Sequence, residues 1–249
     1  GVLYNEAGCI PGAVETVKAF SDLGPVFVVT NNSCHNPDVI GEKLELYGYP
    51  ILPEHIISSG YGLSEDETIC RLIKGKRVFW IGNPDAQYYL LATQFKSITT
   101  SIYEAEVIVI AASMGAQTES LIYQLAAVFK KHPIPVVCCN PDRFVKGMGD
   151  DFIPVAGFYA EMLEKKGIPI YWIGKPYENY AAIVKKRLVK AGLQDKKWIF
   201  FDDNPSNVKA MMAFWGATGC WIKSSGIGEW FEEDQAVDMV WESLGRANL

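Results

Sequence analysis

Short apolar runs rich in β-branched and aromatic residues recur along this chain, and stretches of helical periodicity separate them. No other feature limits the fold as strongly. Strands that read as continuous apolar runs are covered on both faces, and strands alternating with helices join into parallel sheets. The runs are PVFVVT (25–30), RVFWIG (77–82), EVIVIAA (106–112), PVVCCN (135–140), IPIYWIGKP (168–176), KKWIFF (196–201) and TGCWIKSS (218–225). Helical patterns fall at 11–24, 36–48, 63–75, 118–131, 154–167, 177–192 and 204–217. Pro11 and Pro37 stand near helix starts, and Gly24 and Gly48 near helix ends, as capping preferences require. The unit 106–140 reads strand, helix, strand, so its two strands are expected to be parallel and joined by a crossover helix. Residues 51–60 read as a connector, and 83–95 carries only a weak pattern.

A length of 249 residues allows one large α/β domain or two smaller ones, and 49% hydrophobic content supplies ample core. A formal net charge of −6 argues against a nucleic-acid or anionic-membrane surface. The six cysteines show no CxxC spacing, and Cys138 and Cys139 are adjacent on one run, so they should point to opposite faces. With only His35, His55 and His132, a zinc site is not expected. The thiols suit a reducing, cytoplasmic setting. No apolar run reaches the length of a membrane span, and no signal peptide is visible.

Ligands of open parallel sheets bind at the carboxyl ends of the strands. Three such ends carry polar groups here: Thr30-Asn31-Asn32 after PVFVV, Lys175 after IPIYWIG, and Asp202-Asp203 after WIFF. Each admits a plain alternative. Thr-Asn-Asn can be a turn capping the next helix, the lysine a solvated loop residue, and the aspartates a cap complementing a helix dipole. Together they suit phosphoryl chemistry, in which positioning and charge stabilisation do most of the catalysis. Thr30, Asn31 and Asn32 can donate to phosphate oxygens, Lys175 can offset charge, and Asp202 and Asp203 are hard oxygen ligands for Mg²⁺. No nucleotide-cradling Gx4GK[ST] loop, GxSxG elbow or GxGxxG following a strand is present.

The ordered set GVLYN…PGA, VVTNNS, NPD, GKP and FFDDNPSN resembles the haloacid dehalogenase (HAD) superfamily, and more closely its class IIA, NagD-like phosphatases. The resemblance implies a Rossmann-like parallel-sheet core at 1–62 and 168–249, with an inserted α/β cap at 63–167. It implies an Mg²⁺-dependent phosphatase acting on a small phosphorylated metabolite through an aspartyl-phosphate, and relatives that often pair through the cap as homodimers. The family's first motif, Asp-x-Asp-Gly, matches here only from its glycine, Gly1. Both acids are therefore expected upstream of Gly1, on a central strand without which neither activity nor a stable monomer is expected. Thr30 matches the phosphate-orienting hydroxyl and Lys175 the motif lysine, and both are assigned to catalysis. Asp202 and Asp203 match the metal side, with Asp203 as the direct ligand and Asp202 beside Lys175. Asn207 stands where many relatives carry a second acid. In the cap, Asn140 and Asp142 of NPD are expected to face the site, with Arg143 nearby for an anionic substrate and Met114 and Gly115 along the same cleft. The amide at Asn207 also keeps a second expectation open, a non-catalytic HAD-like protein that binds a phosphorylated metabolite.

Overall fold

The computed structural model describes residues 2–5, 8–113, 115–147, 151–231 and 236–246. In chain order, β1 (Tyr4–Asn5) and β2 (Gly8–Cys9) form a small antiparallel pair, followed by α1 (Ala13–Leu23), β3 (Val28–Thr30), α2 (Pro37–Leu46) and β4 (Ile56–Ser58). The inserted region holds α3 (Gly62–Glu65), α4 (Glu67–Ile73), β5 (Arg77–Ile81), β6 (Ser97–Thr99), β7 (Val107–Ile110), α5 (Ala116–Phe129), β8 (Val136–Cys138), β9 (Phe144–Lys146), β10 (Phe152–Pro154), α6 (Ala156–Glu164) and β11 (Ile170–Trp172). The chain then returns through α7 (Glu178–Lys190), β12 (Ile199–Asp202), α8 (Pro205–Trp215), β13 (Thr218–Ile222) and β14 (Met239–Trp241).

The inserted region is built on a five-stranded sheet in the order β11-β8-β7-β5-β6, parallel throughout. The strand–helix–strand unit read at 106–140 is β7-α5-β8, with Val109 opposite Val137. Alternation along these strands divides their side chains between two faces. Ile108, Ile110, Val136 and Cys138 pack with Ile122 and Leu125 of α5 and Leu163 of α6. Val107, Val109, Val137 and Cys139 pack the other way, with Ile69 and Ile73 of α4 and with Tyr180, Ile183 and Val184 of α7. The two adjacent cysteines thus enter opposite clusters, and one apolar cluster runs from the cap sheet into a helix of the core. Because β11 pairs with β8, the cap sheet extends beyond residue 167.

The rest of the chain forms two separate parallel blocks, β3-β4 and β12-β13-β14. Among the described residues β3 pairs only with β4, and β12 only with β13. A groove of about 550 Å³ lies between the blocks, with Val26 to Thr30 along one wall and Trp198 to Asp203 along the other. Its lining is mostly apolar, including Val17, Phe20 and Leu44, and its polar end holds Thr30, Lys175, Asp202 and Asp203. The hairpin β9-β10 and the strands β6 and β14 are additions to the sequence reading. Each is three residues long, too short for a periodicity to register.

Candidate active site

Helix caps decide between the alternative readings of the polar strand ends. Asn36 caps α2, accepting the Val39 N–H at 3.0 Å, so Thr30-Asn31-Asn32 is not the cap of that helix. Asn204 caps α8, accepting the Ser206 N–H at 3.0 Å, with Pro205 in the first turn. The two aspartates before it are therefore free of that duty.

Lys175 and Asp202 form a buried ion pair, Nζ to Oδ2 at 2.6 Å, with Lys175 8% and Asp202 3% exposed. The lysine Nζ also donates to the Val29 carbonyl at 3.0 Å and so spans the polar end of the groove. Burial alone would lower the lysine pKa, but the neighbouring Asp202 carboxylate outweighs it and raises the value, keeping the ammonium charged. The other oxygen of Asp202 accepts the Asn204 N–H at 2.8 Å and the Asn207 Nδ2 at 3.0 Å. Asp203 accepts the Ile227 N–H at 2.9 Å, and its carbonyl accepts the Trp221 Nε1 at 3.2 Å. Burial raises the Asp203 pKa, and the charge of Asp202 adds to the shift.

Thr30 Oγ1 accepts the Asn32 N–H at 3.0 Å, which leaves the hydroxyl proton to be donated. Asn32 Oδ1 accepts the Cys34 N–H at 3.0 Å, and Ser58 Oγ holds the Asn32 carbonyl at 2.7 Å. Asn31 is engaged differently. Its Oδ1 accepts the Lys175 N–H at 2.7 Å, and its Nδ2 donates to the Lys175 carbonyl and to Asp142 Oδ1, both at 3.0 Å. Its amide therefore fixes the lysine loop to the NPD segment, and no donor of that amide is left for a phosphate.

The NPD turn is closed by Asn140 Oδ1, which accepts the Asp142 N–H at 2.9 Å. Gly157 at the start of α6 donates its N–H to the Asp142 carbonyl at 3.1 Å, and a Cβ there would lie 2.3 Å from the Pro141 carbonyl oxygen. Gly174 has φ 128°, and a Cβ would lie 2.5 Å from Pro141 Cδ. Two close approaches thus seat the cap turn against the lysine loop. Burial pushes the Asp142 carboxyl up to about 6, against the opposing pull of Lys175 and of the Asn31 hydrogen bond. Arg143 turns elsewhere, to Glu161 at 3.1 Å and over the Phe144 ring. Met114 and Gly1 lie outside the described residues, and Gly115 precedes α5 as its N-cap.

Tyr180 is a site-supporting residue the sequence did not single out. Its hydroxyl lies 2.6 Å from the Ile57 carbonyl and 3.1 Å from that of Thr30, so it pins the ends of β3 and β4. Within YENYAAIVKK it reads only as one more apolar position of a helix.

Among the described residues no three His, Cys, Asp or Glu side chains are grouped to hold a metal ion. The oxygen set nevertheless fits Mg²⁺, which typically takes one or two carboxylates and keeps several waters. Asp202 and Asp203 would supply the carboxylates. Asn207 Oδ1, in a side chain that donates to Asp202, is a buried oxygen with no hydrogen-bond partner. An orphaned acceptor of this kind is costly without a cation or donor beside it.

A parallel α/β core, an inserted α/β region and a lysine–aspartate cluster beside the groove make up a fold that solved HAD-type phosphatase structures share. Residues 1–96 match the model of a haloacid dehalogenase-like hydrolase family. Solved structures share the architecture along nearly the whole chain. A p-nitrophenyl phosphatase from Archaeoglobus fulgidus is 24% identical with a TM-score of 0.76, covering 98% of this chain and 93% of its own. A possible sugar phosphatase of the HAD superfamily from Cytophaga hutchinsonii is 19% identical with a TM-score of 0.83, covering 99% and 92%. NagD from E. coli K-12 is 18% identical with a TM-score of 0.73, covering 99% and 94%. No curated protein gives a significant match.

Proposed function

We propose that this protein is a phosphatase that hydrolyses a small phosphomonoester with Mg²⁺ through an aspartyl-phosphate. The observation that carries this reading is the convergence of the Thr30 hydroxyl, the Lys175 ammonium and the paired Asp202 and Asp203 at one end of the groove between β3 and β12. The attacking carboxylate is assigned to an extended segment N-terminal to Gly1 that lies in this groove, bonded to both strand edges, with its acids delivered among these groups. A parallel strand fits there because backbone groups along both walls call for partners. The carboxylate oxygen bonds to phosphorus, the ester oxygen leaves and takes a proton, and water then cleaves the acyl phosphate to release inorganic phosphate.

In this reading Lys175 and the Thr30 hydroxyl hold the phosphate oxygens, with Asn32 shaping their loop. Asn31 positions Lys175 and the cap turn. Mg²⁺ bound by Asp203, Asp202 and the Asn207 oxygen would offset phosphate charge. Asn140 and Asp142 close the cap side, and Arg143 supports the cap through Glu161. The setting proposed is cytoplasmic, with all six thiols free. No helix among the described residues is long and apolar enough to cross a membrane. Pairing of two copies through the cap belongs to the same proposal.

The deciding experiment is Mg²⁺-dependent release of phosphate from p-nitrophenyl phosphate by the protein with its native N-terminal sequence. Folded protein that releases none across a broad substrate panel would overturn the reading. One observation favours a rival, a binding protein for a phosphorylated metabolite: the metal side offers an amide at Asn207 where a further acid would strengthen it. Ligand-induced thermal stabilisation without turnover would select that rival.

A further inference from the structure

The NPD turn of the cap brings a carboxylate to the loop that carries Lys175. Asp142 Oδ1 accepts from Asn31 Nδ2 at 3.0 Å, and its second oxygen has no hydrogen bond from any described residue. The carboxylate lies within electrostatic reach of Lys175, Asp202 and Asp203. Its backbone is held on both sides, by Asn140 Oδ1 at its N–H and by the Gly157 N–H at its carbonyl. The nearby cations of the segment are engaged elsewhere: Arg143 with Glu161 at 3.1 Å and Lys146 with Glu229 at 2.9 Å. Asn31 ties this carboxylate to the loop that presents Lys175, so a leaving group that extends from a phosphate on Lys175 toward the cap turn would meet an acceptor whose position is set before it arrives.

We propose that Asp142 determines substrate choice: it favours phosphomonoesters whose leaving group carries hydroxyl or ammonium donors and rejects those whose leaving group carries a second anion. The inference rests on the phosphatase reading above. A second anion would meet a carboxylate of like charge in a half-buried cleft, where repulsion is poorly screened. A hydroxyl or ammonium donor would instead satisfy the open oxygen, and sites with fixed polar partners discriminate strongly against ligands that leave them unpaired.

The test uses two size-matched pairs, glycerol 3-phosphate against 3-phosphoglycerate and phosphoethanolamine against phosphoglycolate. Phosphate release is followed at pH 7.5 with Mg²⁺, using the full protein with its native N-terminal sequence. The donor-bearing member of each pair is expected to show at least about a tenfold higher kcat/KM. Asp142→Asn, which keeps an oxygen for Asn31, is expected to shrink both ratios at least about fivefold, chiefly by improving the anionic member. Asp142→Ser serves if the amide variant does not fold. Ratios near one or reversed in the wild type, or ratios unchanged in the variants, overturn the proposal. If folded protein hydrolyses none of these compounds and no p-nitrophenyl phosphate, the phosphatase reading itself has failed. Calorimetric affinities for the same four compounds then decide: the same order, narrowed by Asp142→Asn, supports the role of Asp142, and equal, reversed or undetectable binding overturns it.

Discussion

The two sheet systems of this protein are built from similar sequence and end differently. In the cap, five parallel strands run edge to edge in one sheet, and helices cover both faces. In the core, five parallel strands divide into blocks of two and three with an apolar groove between them. The polar end of the groove gathers Asp202 and Asp203, at the end of β12, with Lys175, which the end of β11 of the continuous sheet delivers to it. Completing backbone pairing makes a scaffold, whereas two strand edges held apart make a place where an inserted segment can carry chemistry to fixed partners.

The contrast can be broken most severely at the groove. On the proposed reading, a chain beginning at Gly1 is expected to show no phosphatase activity above background, and one carrying the proposed upstream strand to turn over p-nitrophenyl phosphate; equal activity of the two would remove the groove from the proposed mechanism. Next in size is Lys175→Met, which leaves the buried Asp202 without its cation. Its expected cost is about 3–5 kcal/mol of stability, read from urea denaturation, together with loss of activity.

A pH experiment sharpens the contact between the two regions. The folded Asp142 carboxyl titrates near 6 against an ordinary value of 3.8, so the folded chain binds more protons than the unfolded one between those values. Stability therefore falls as pH rises through that window. Without metal, Asp142→Asn is expected to gain stability above about pH 6, by at most about 3 kcal/mol, and to gain nothing below about pH 4. The smallest effect belongs inside the cap. Ile110→Val, in a strand buried on both faces, should lower stability by about 1 kcal/mol in denaturant titration and leave kcat unchanged.

Much of this contrast was legible in the sequence, because apolar runs and polar strand ends are local signals. VIVIAA, VVCC and WIFF declare buried strands without help from their neighbours, and Thr30, Lys175, Asp202 and Asp203 stand out because each follows such a run. What stayed hidden depends on distant partners. That the Asn31 side chain bonds Lys175 and Asp142 follows from contacts 144 and 111 residues away in sequence. Tyr180 looks like any aromatic on a helix until its hydroxyl is seen between two strand-end carbonyls. The extent of the five-stranded sheet depends on distant pairing in the same way: Ile170–Trp172 is a fitting strand for either sheet, and its pairing with β8 assigns it.

The inserted position of the cap also sets a timetable. Lys175 meets the Val29 carbonyl across 146 residues of sequence, and that gap contains the whole five-stranded sheet. At ribosomal rates of roughly 5–20 residues per second, the wall formed by β3 is made roughly 7–30 s before the lysine that spans the groove, with β12 later still. Through that interval the core lacks the wall formed by β12 and so carries an open apolar sheet edge, the kind of surface that recruits other chains. The cap can fold in the meantime from strands close to one another in sequence. The half that carries the groove is thus the late and aggregation-exposed half, and its yield in the cell should depend on chaperones that shield an unfinished sheet edge.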